Sequence, residues 1–181
     1  VSQLADPQQG QVVVDACAAP GGKSTHLAQL MKNEGKIIAC DVSEGRLKLV
    51  RENATRLKIK IIETRAGNFQ EASTQLPRAD LVLLDAPCSG TGTFRRRPDA
   101  KWNRTATQLQ ELVVLQSELL CTVKSVVKPN GILVYSTCSM ESEENELQVE
   151  NFLRDNLNWK LEDTVSTLPH RDGCDCAFAA R

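Results

Sequence analysis

A chain of 181 residues with 41% hydrophobic and 25% charged side chains can bury one substantial core, and its composition excludes a disordered or fibrous protein. The net charge of −1 excludes a whole-molecule field that attracts polyanions, so nucleic-acid affinity has to come from a local patch. No run reaches the roughly 18 to 20 apolar residues of a membrane span, and Val1 to Gly10 lack the basic start and apolar core of a secretory signal.

Short apolar runs bounded by glycine, proline and aspartate recur along the chain: Val12 to Ala16, Ile37 to Cys40, Ile59 to Ile62, Leu81 to Leu84 and Ile132 to Tyr135. They are continuous rather than alternating, as strands covered on both faces are. Helical patterns lie between them, at about Lys23 to Lys32, Glu44 to Leu57, Thr107 to Val127 and Ser142 to Asn156. Trp159 to Val165 and Cys176 to Ala180 are candidates for two further strands. Strands alternating with helices predict an α/β fold, a mostly parallel sheet of about seven strands with helices on both faces. Its order reverses between the first and fourth strands, so the residues just after each strand are where ligands bind.

The seven cysteines are irregularly spaced, with no Cys-x-x-Cys pair, and the only histidines are His26 and His170. That pattern argues for reduced thiols in a cytoplasmic protein, without a disulfide framework or a metal site. A single domain over residues 1–181, monomeric and not membrane-bound, is the expectation.

After the first strand, Asp15-Ala-Cys-Ala-Ala-Pro-Gly-Gly-Lys-Ser-Thr25 turns into a helix, and Gly21 and Gly22 let a ligand approach the backbone there. A phosphate-binding loop fits Gly22-Lys23-Ser24 but fails where its first glycine is replaced by Cys17, and the dinucleotide glycine pattern is absent. Asp41, twenty residues beyond Gly21, ends the second strand, where a carboxylate can accept hydrogen bonds from a ribose. A nucleoside cofactor without a pyrophosphate suits both features, and S-adenosylmethionine is one. The bland alternative is a glycine turn, with Asp41 capping the next helix.

The fourth strand ends in Asp85-Ala-Pro-Cys-Ser-Gly-Thr-Gly92 and the fifth in Tyr135-Ser-Thr-Cys-Ser139. On neighbouring strands, Cys88 and Cys138 overhang one carboxyl edge, whereas inert core positions are expected for Cys17, Cys40, Cys121, Cys174 and Cys176. A thiolate adding to carbon 6 of a cytosine makes carbon 5 nucleophilic, and Asp85 is placed to hydrogen-bond the ring nitrogen 3 edge. Methylation of an exocyclic amine needs no thiol. The start of a helix near Ser142 would favour a thiolate at Cys138, while Glu141, Glu143, Glu144 and Glu146 would oppose it if they faced the sulfur. Between the two motifs, residues 94–104 hold Arg95, Arg96, Arg97, Lys101 and Arg104 with Phe94 and Trp102 interleaved, five basic residues in eleven. Arginines pair with phosphates and aromatics stack on bases, so this is the candidate RNA contact.

Taken together, DACAAPGGKST (15–25), DAPCSGTG (85–92) and YSTCS (135–139) resemble the Nop/Sun family of RNA cytosine-5 methyltransferases. Residues 96–102, Glu144-Asn145-Glu146 and the closing segment 170–175 are most similar to its bacterial RsmB (Sun/Fmu) branch, which methylates small-subunit ribosomal RNA. The resemblance implies a Rossmann-like class I methyltransferase fold and S-adenosylmethionine as methyl donor. It implies Cys138 as nucleophile, Cys88 in product release and Asp85 at the base. Cys17, Ala18, Ala19, Pro20, Gly21, Gly22, Lys23, Asp41, Arg46, Asn68 and Asp85 would hold the cofactor. Three departures stand out. Asn68 replaces a usual aspartate, Cys176 replaces a usual glycine, and the branch's amino-terminal RNA-binding domains are missing from this probable fragment. The alternatives are a P-loop-like nucleotide module and a non-catalytic RNA-binding domain that retains the fold.

Overall fold

The structure, a computed structural model, describes all 181 residues. Its elements in chain order are α1 (Ser2–Ala5), β1 (Val12–Asp15), α2 (Gly22–Leu30), β2 (Lys36–Asp41), α3 (Glu44–Arg56), β3 (Ile62–Ala66), α4 (Phe69–Ala72), β4 (Ala79–Asp85), α5 (Ala106–Val123), β5 (Val127–Thr137), α6 (Glu146–Asp155), β6 (Thr164–Thr167), α7 (Pro169–Asp172) and β7 (Ala177–Ala180). The seven strands form one sheet in the order β3-β2-β1-β4-β5-β7-β6. β1 pairs in parallel with β2 and β4, and β2 with β3, while β7 is antiparallel to β5 and β6. The expected reversal after β1 is present. No helix is long and apolar enough to cross a membrane.

The chain divides into two compact units, one of Val1–Asp85 and Thr122–Val134, the other of Ala86–Cys121 and Tyr135–Arg181. In the first, Val13, Ile37, Leu81 and Leu83 pack with Ala5 of α1 and with Leu27, Ala28 and Met31 at α2. Val14, Ile38, Val82 and Leu84, which alternate with them, are buried too. Burial on both faces explains the unbroken apolar runs in the sequence, each such side chain being worth about 1.5–3 kcal/mol. α3 begins where Ser43 accepts the Arg46 backbone N–H at 3.3 Å, and Glu44 and Arg56 complement the helix dipole at its two ends. In the second unit, Thr105 and Gln108 exchange backbone N–H bonds at 3.2 Å as a capping box, which sets the start of α5.

Several expected elements are shifted. β3 spans Ile62–Ala66 rather than residues 59–62 because it is an edge strand whose Glu63, Arg65 and Ala66 are exposed, so no apolar run marks it. β6 starts at Thr164 rather than Trp159, whose ring instead packs edge-on against Phe152 of α6 at 5.5 Å. The helix expected from Ser142 is a 3₁₀ turn over Ser142–Glu144, and α6 follows only at Glu146. β5 starts at Val127 rather than Ile132, running through Pro129-Asn130-Gly131 with Asn130 left-handed at φ 59°, and α5 correspondingly ends at Val123 rather than Val127.

Candidate functional site

In the first unit, the loop between β1 and α2 is built around Gly21. Its φ of 102° and a virtual Cβ only 3.0 Å from the Val50 Cα leave room for no side chain. Ala18 N–H donates to the Cys40 carbonyl at 2.8 Å, and Arg46 Nη2 donates to the Ala19 carbonyl at 2.8 Å. The buried Asp41 carboxylate accepts the backbone N–H of Ala19 and of Ser43 and lies 3.5 Å from Arg46 Nη1. Asp41 therefore braces the loop, and Ser43, not Asp41, caps α3. A cavity of about 190 Å³ is lined by Asp15, Cys17, Ala18, Pro20, Gly22, Lys23 and Asp85. Lys23 Nζ and Asp85 Oδ2 are 2.6 Å apart at its wall. Asn68 lines a different cavity, of about 230 Å³, with Arg65, Gly67 and Glu71, and its side chain caps α4 by accepting the Gln70 N–H.

Asp15 is the buried anomaly of this loop. Its Oδ2 accepts the Ser24 hydroxyl at 2.6 Å and its Oδ1 has no partner. Burial raises its pKa from 3.8 to about 7. Because folding favours the neutral form, the stability tied to this group is intact below the unfolded value and lost as pH rises through the folded one. Asp15→Asn is expected to leave thermal stability unchanged near pH 4. At pH 8 it should raise stability by on the order of 4 kcal/mol, which melting curves at the two pH values would show.

In the second unit, the turns after β4 and at the end of β5 bring Cys88 and Cys138 together, Sγ to Sγ at 3.3 Å, with neither in a disulfide. The Cys138 N–H also points at the Cys88 sulfur, at 3.3 Å. The hydrogen bond to Cys138, followed by burial, pushes the Cys88 thiol well above the ordinary cysteine range. Either sulfur can donate in the contact between them. Both turns are tied by polar contacts. Gly92 N–H donates to the Cys138 carbonyl at 3.1 Å, Met140 N–H to Thr91 Oγ1 at 2.9 Å, and Gln116 Nε2 to the Pro87 carbonyl at 2.9 Å.

Sequence reasoning missed the residues beneath these turns: Ser89, Gln116, Ser139, Glu144 and Asn145 are all buried. Of the glutamates expected to crowd Cys138, Glu144 instead faces Ser89 and Gln116, and Glu143 and Glu146 are exposed. Asn145 Nδ2 donates to the Ser139 carbonyl at 2.9 Å. The available signal was a serine directly after each of the two cysteines. Cys176, at 4% exposure, donates from its sulfur to the Ser139 carbonyl at 3.2 Å, so it props the Cys138 turn. Cys40 is buried as expected, its thiol pushed up to about 12 by burial, and Cys17 is half-buried. Cys121 and Cys174 are exposed, contrary to the inert-core expectation, because α5 and the closing segment present them to solvent.

The basic segment is unevenly available. Arg96 Nε and Arg95 Nη2 pair with Asp175 at 2.7 and 3.5 Å, and Arg104 Nε donates to the Ser89 carbonyl at 2.7 Å. Arg97 and Lys101 are exposed, Lys101 lying 5.7 Å from the ring of Trp102, which is itself 83% exposed. Phe94 is half-buried.

A mostly parallel seven-stranded sheet in this order, with a glycine turn after β1 and an acidic residue ending β2, defines the Rossmann-like fold of the methyltransferases. The chain belongs to the 16S rRNA methyltransferase RsmB/F family, whose model matches residues 2–180. It is 44% identical over 165 residues to the ribosomal RNA small subunit methyltransferase B of Pasteurella multocida, covering 88% of this chain and 37% of that relative. Among solved structures, it is similar to NSun6 from Pyrococcus horikoshii with SFG, at 32% identity and a TM-score of 0.90, over 99% of this chain and 49% of that one. A methyltransferase homolog protein from the same organism matches at 34% identity and a TM-score of 0.87, over 99% and 63%. The chain thus spans about two-fifths of the length of the curated relatives it matches.

Proposed function

We propose that this chain is the part of a small-subunit ribosomal RNA methyltransferase that methylates carbon 5 of a cytosine, with Cys138 as covalent nucleophile. The observation that carries the reading is the pair of cysteine sulfurs 3.3 Å apart, neither in a disulfide, each in a turn that follows a strand of the sheet. The loop at Gly21, its cavity and the unpartnered Asp15 Oδ1 fit a nucleoside cofactor carrying a cationic group. Cys17 to Lys23, Asp41, Arg46, Asn68 and Asp85 are assigned to holding S-adenosylmethionine. When bound, that molecule supplies an electrophilic methyl group on a sulfonium sulfur.

The Cys138 thiolate adds to carbon 6 of cytosine, forming a carbon–sulfur bond and moving the ring's double-bond electrons onto carbon 5. The Lys23–Asp85 pair provides a proton donor for ring nitrogen 3 as that density accumulates. A Cys88 thiol turned to donate across the 3.3 Å contact would favour the charged Cys138 sulfur before attack. After methylation, carbon 5 gives its proton to water and that C–H electron pair re-forms the ring double bond. The bond to Cys138 breaks with its electrons returning to the sulfur as thiolate, and ring nitrogen 3 returns its proton to the Lys23–Asp85 pair. Cys88 is assigned to assist that release. Arg95, Arg96, Arg97, Lys101, Trp102 and Arg104 are assigned to the RNA.

The test uses the chain, methyl-labelled S-adenosylmethionine and unmodified small-subunit ribosomal RNA transcribed in vitro, digested afterwards to nucleosides. Label is expected in 5-methylcytidine. Label confined to another nucleoside would overturn the reading.

A further inference from the structure

Glu144 has no exposed surface, yet it carries a carboxyl group into the interior of the second unit. Three donors converge on it: Ser89 N–H at 2.8 Å and Gln116 Nε2 at 2.9 Å on Oε1, and the Ser89 hydroxyl at 2.5 Å on Oε2. This donor set calls for a group that only accepts. Tyr135 Oη fixes the backbone of the same residue, donating to its carbonyl at 2.6 Å.

Each hydroxyl has one proton to give, so the direction of the neighbouring contacts follows. Ser89 spends its proton on Glu144, hence Ser139 donates in the 3.1 Å contact with Ser89 Oγ. Ser139 has then none left, and Thr91 donates in the 3.2 Å contact with Ser139 Oγ. The result is a one-way chain, Thr91 to Ser139 to Ser89, ending on the Glu144 carboxylate. Chains of this kind polarise one another and strengthen along their length. Ser89 directly follows Cys88, and Ser139 directly follows Cys138. The chain therefore links the two residues next to the paired sulfurs.

We propose that Glu144 is a positioning residue that sets the separation of the two thiols through this hydroxyl chain, which rests on the covalent chemistry proposed above. Glu144→Gln keeps the shape but puts an NH₂ donor where the terminal acceptor stood, so Ser89 has to turn its proton toward Ser139 and the chain reverses. Loosening the Cys88 turn in this way slows release of the bound base more than its capture.

The experiment compares the parent chain, Cys88→Ala, Glu144→Gln and Ser89→Ala, each incubated with S-adenosylmethionine and unmodified small-subunit ribosomal RNA. Covalent protein–RNA complex is read on denaturing gels beside turnover and melting temperature. Cys88→Ala is expected to accumulate adduct. Glu144→Gln and Ser89→Ala should accumulate it too, with turnover lowered by roughly 10 to 10² and melting within a few degrees of the parent. Should Glu144→Gln fail to fold, Ser89→Ala decides, since it cuts the chain and keeps the buried carboxylate. Adduct in Cys88→Ala but in neither of the other two, or a fall in turnover with no adduct, overturns the positioning role alone. No adduct from Cys88→Ala overturns the covalent reading itself.

Discussion

Cys138→Ala is expected to lower methyl transfer to ribosomal RNA by about 10⁴-fold or more while leaving binding of S-adenosylmethionine unchanged. The magnitude follows from what the sulfur is asked to do. Carbon 5 of an unactivated cytosine has too little electron density to displace a methyl group, and only a bond formed at carbon 6 supplies it. Neither a methyl side chain nor a water in its place can make that bond at neutral pH. Cys138→Ser should be nearly as inactive, because its hydroxyl ionises far less readily than a thiol. Cys138 is partly exposed at the end of β5, so the variant removes a reachable group and not a piece of core. Filter-binding of labelled RNA reports the transfer, and calorimetry reports the cofactor. Residual transfer within tenfold of the parent would show that another residue is the nucleophile.

Gly92→Val should damage both folding and methyl transfer. A Cβ at this position would sit 2.5 Å from the Cys176 Cβ and 2.8 Å from the Cys138 carbonyl oxygen, distances that real contacts do not reach. The backbone cannot move aside cheaply. Gly92 N–H is bonded to the Cys138 carbonyl and its own carbonyl accepts the Cys176 N–H at 3.0 Å, so the turn is held on both sides. Overpacking of this kind costs about 1–3 kcal/mol or more, which lowers the melting temperature by roughly 2–4 °C for each kcal/mol in a chain of this size. Any relief of the clash displaces the Cys138 carbonyl, so transfer should fall further than stability alone predicts. A variant melting like the parent and turning over at its rate would mean that this turn is far more pliant than its contacts suggest.

The sequence made the central sheet legible because β1, β2 and β4 are buried on both faces, and such strands announce themselves as unbroken apolar runs. β3 and β6 lie at the sheet's edges, where exposed side chains are tolerated, and their positions were therefore misplaced by several residues. The glycine loop and the two cysteine turns were legible because their residue types are unusual at strand ends. Glu144 was not, since its partners Ser89 and Gln116 lie 55 and 28 residues away along the chain. A glutamate among four in a polar stretch carries no mark of burial; only the fold brings it beneath the Cys88 turn. The Thr105 and Gln108 capping box was present in the sequence and was overlooked in favour of the apolar pattern that starts later.

The pairing of Arg95 and Arg96 with Asp175 bears on how strongly salt should weaken the proposed RNA contact. Both arginines are about two-thirds exposed or more, so the ion pairs are weak and a phosphate can displace the carboxylate. Asp175 is thus a resident counterion: in the free chain it occupies the place that dissolved anions would otherwise fill. A guanidinium already neutralised in this way has no dissolved anion to release, and the carboxylate it leaves behind takes up part of the cation that the phosphate sets free. The log–log slope of affinity against salt, about 0.7 per single-strand contact, should then be shallower than five basic residues would give.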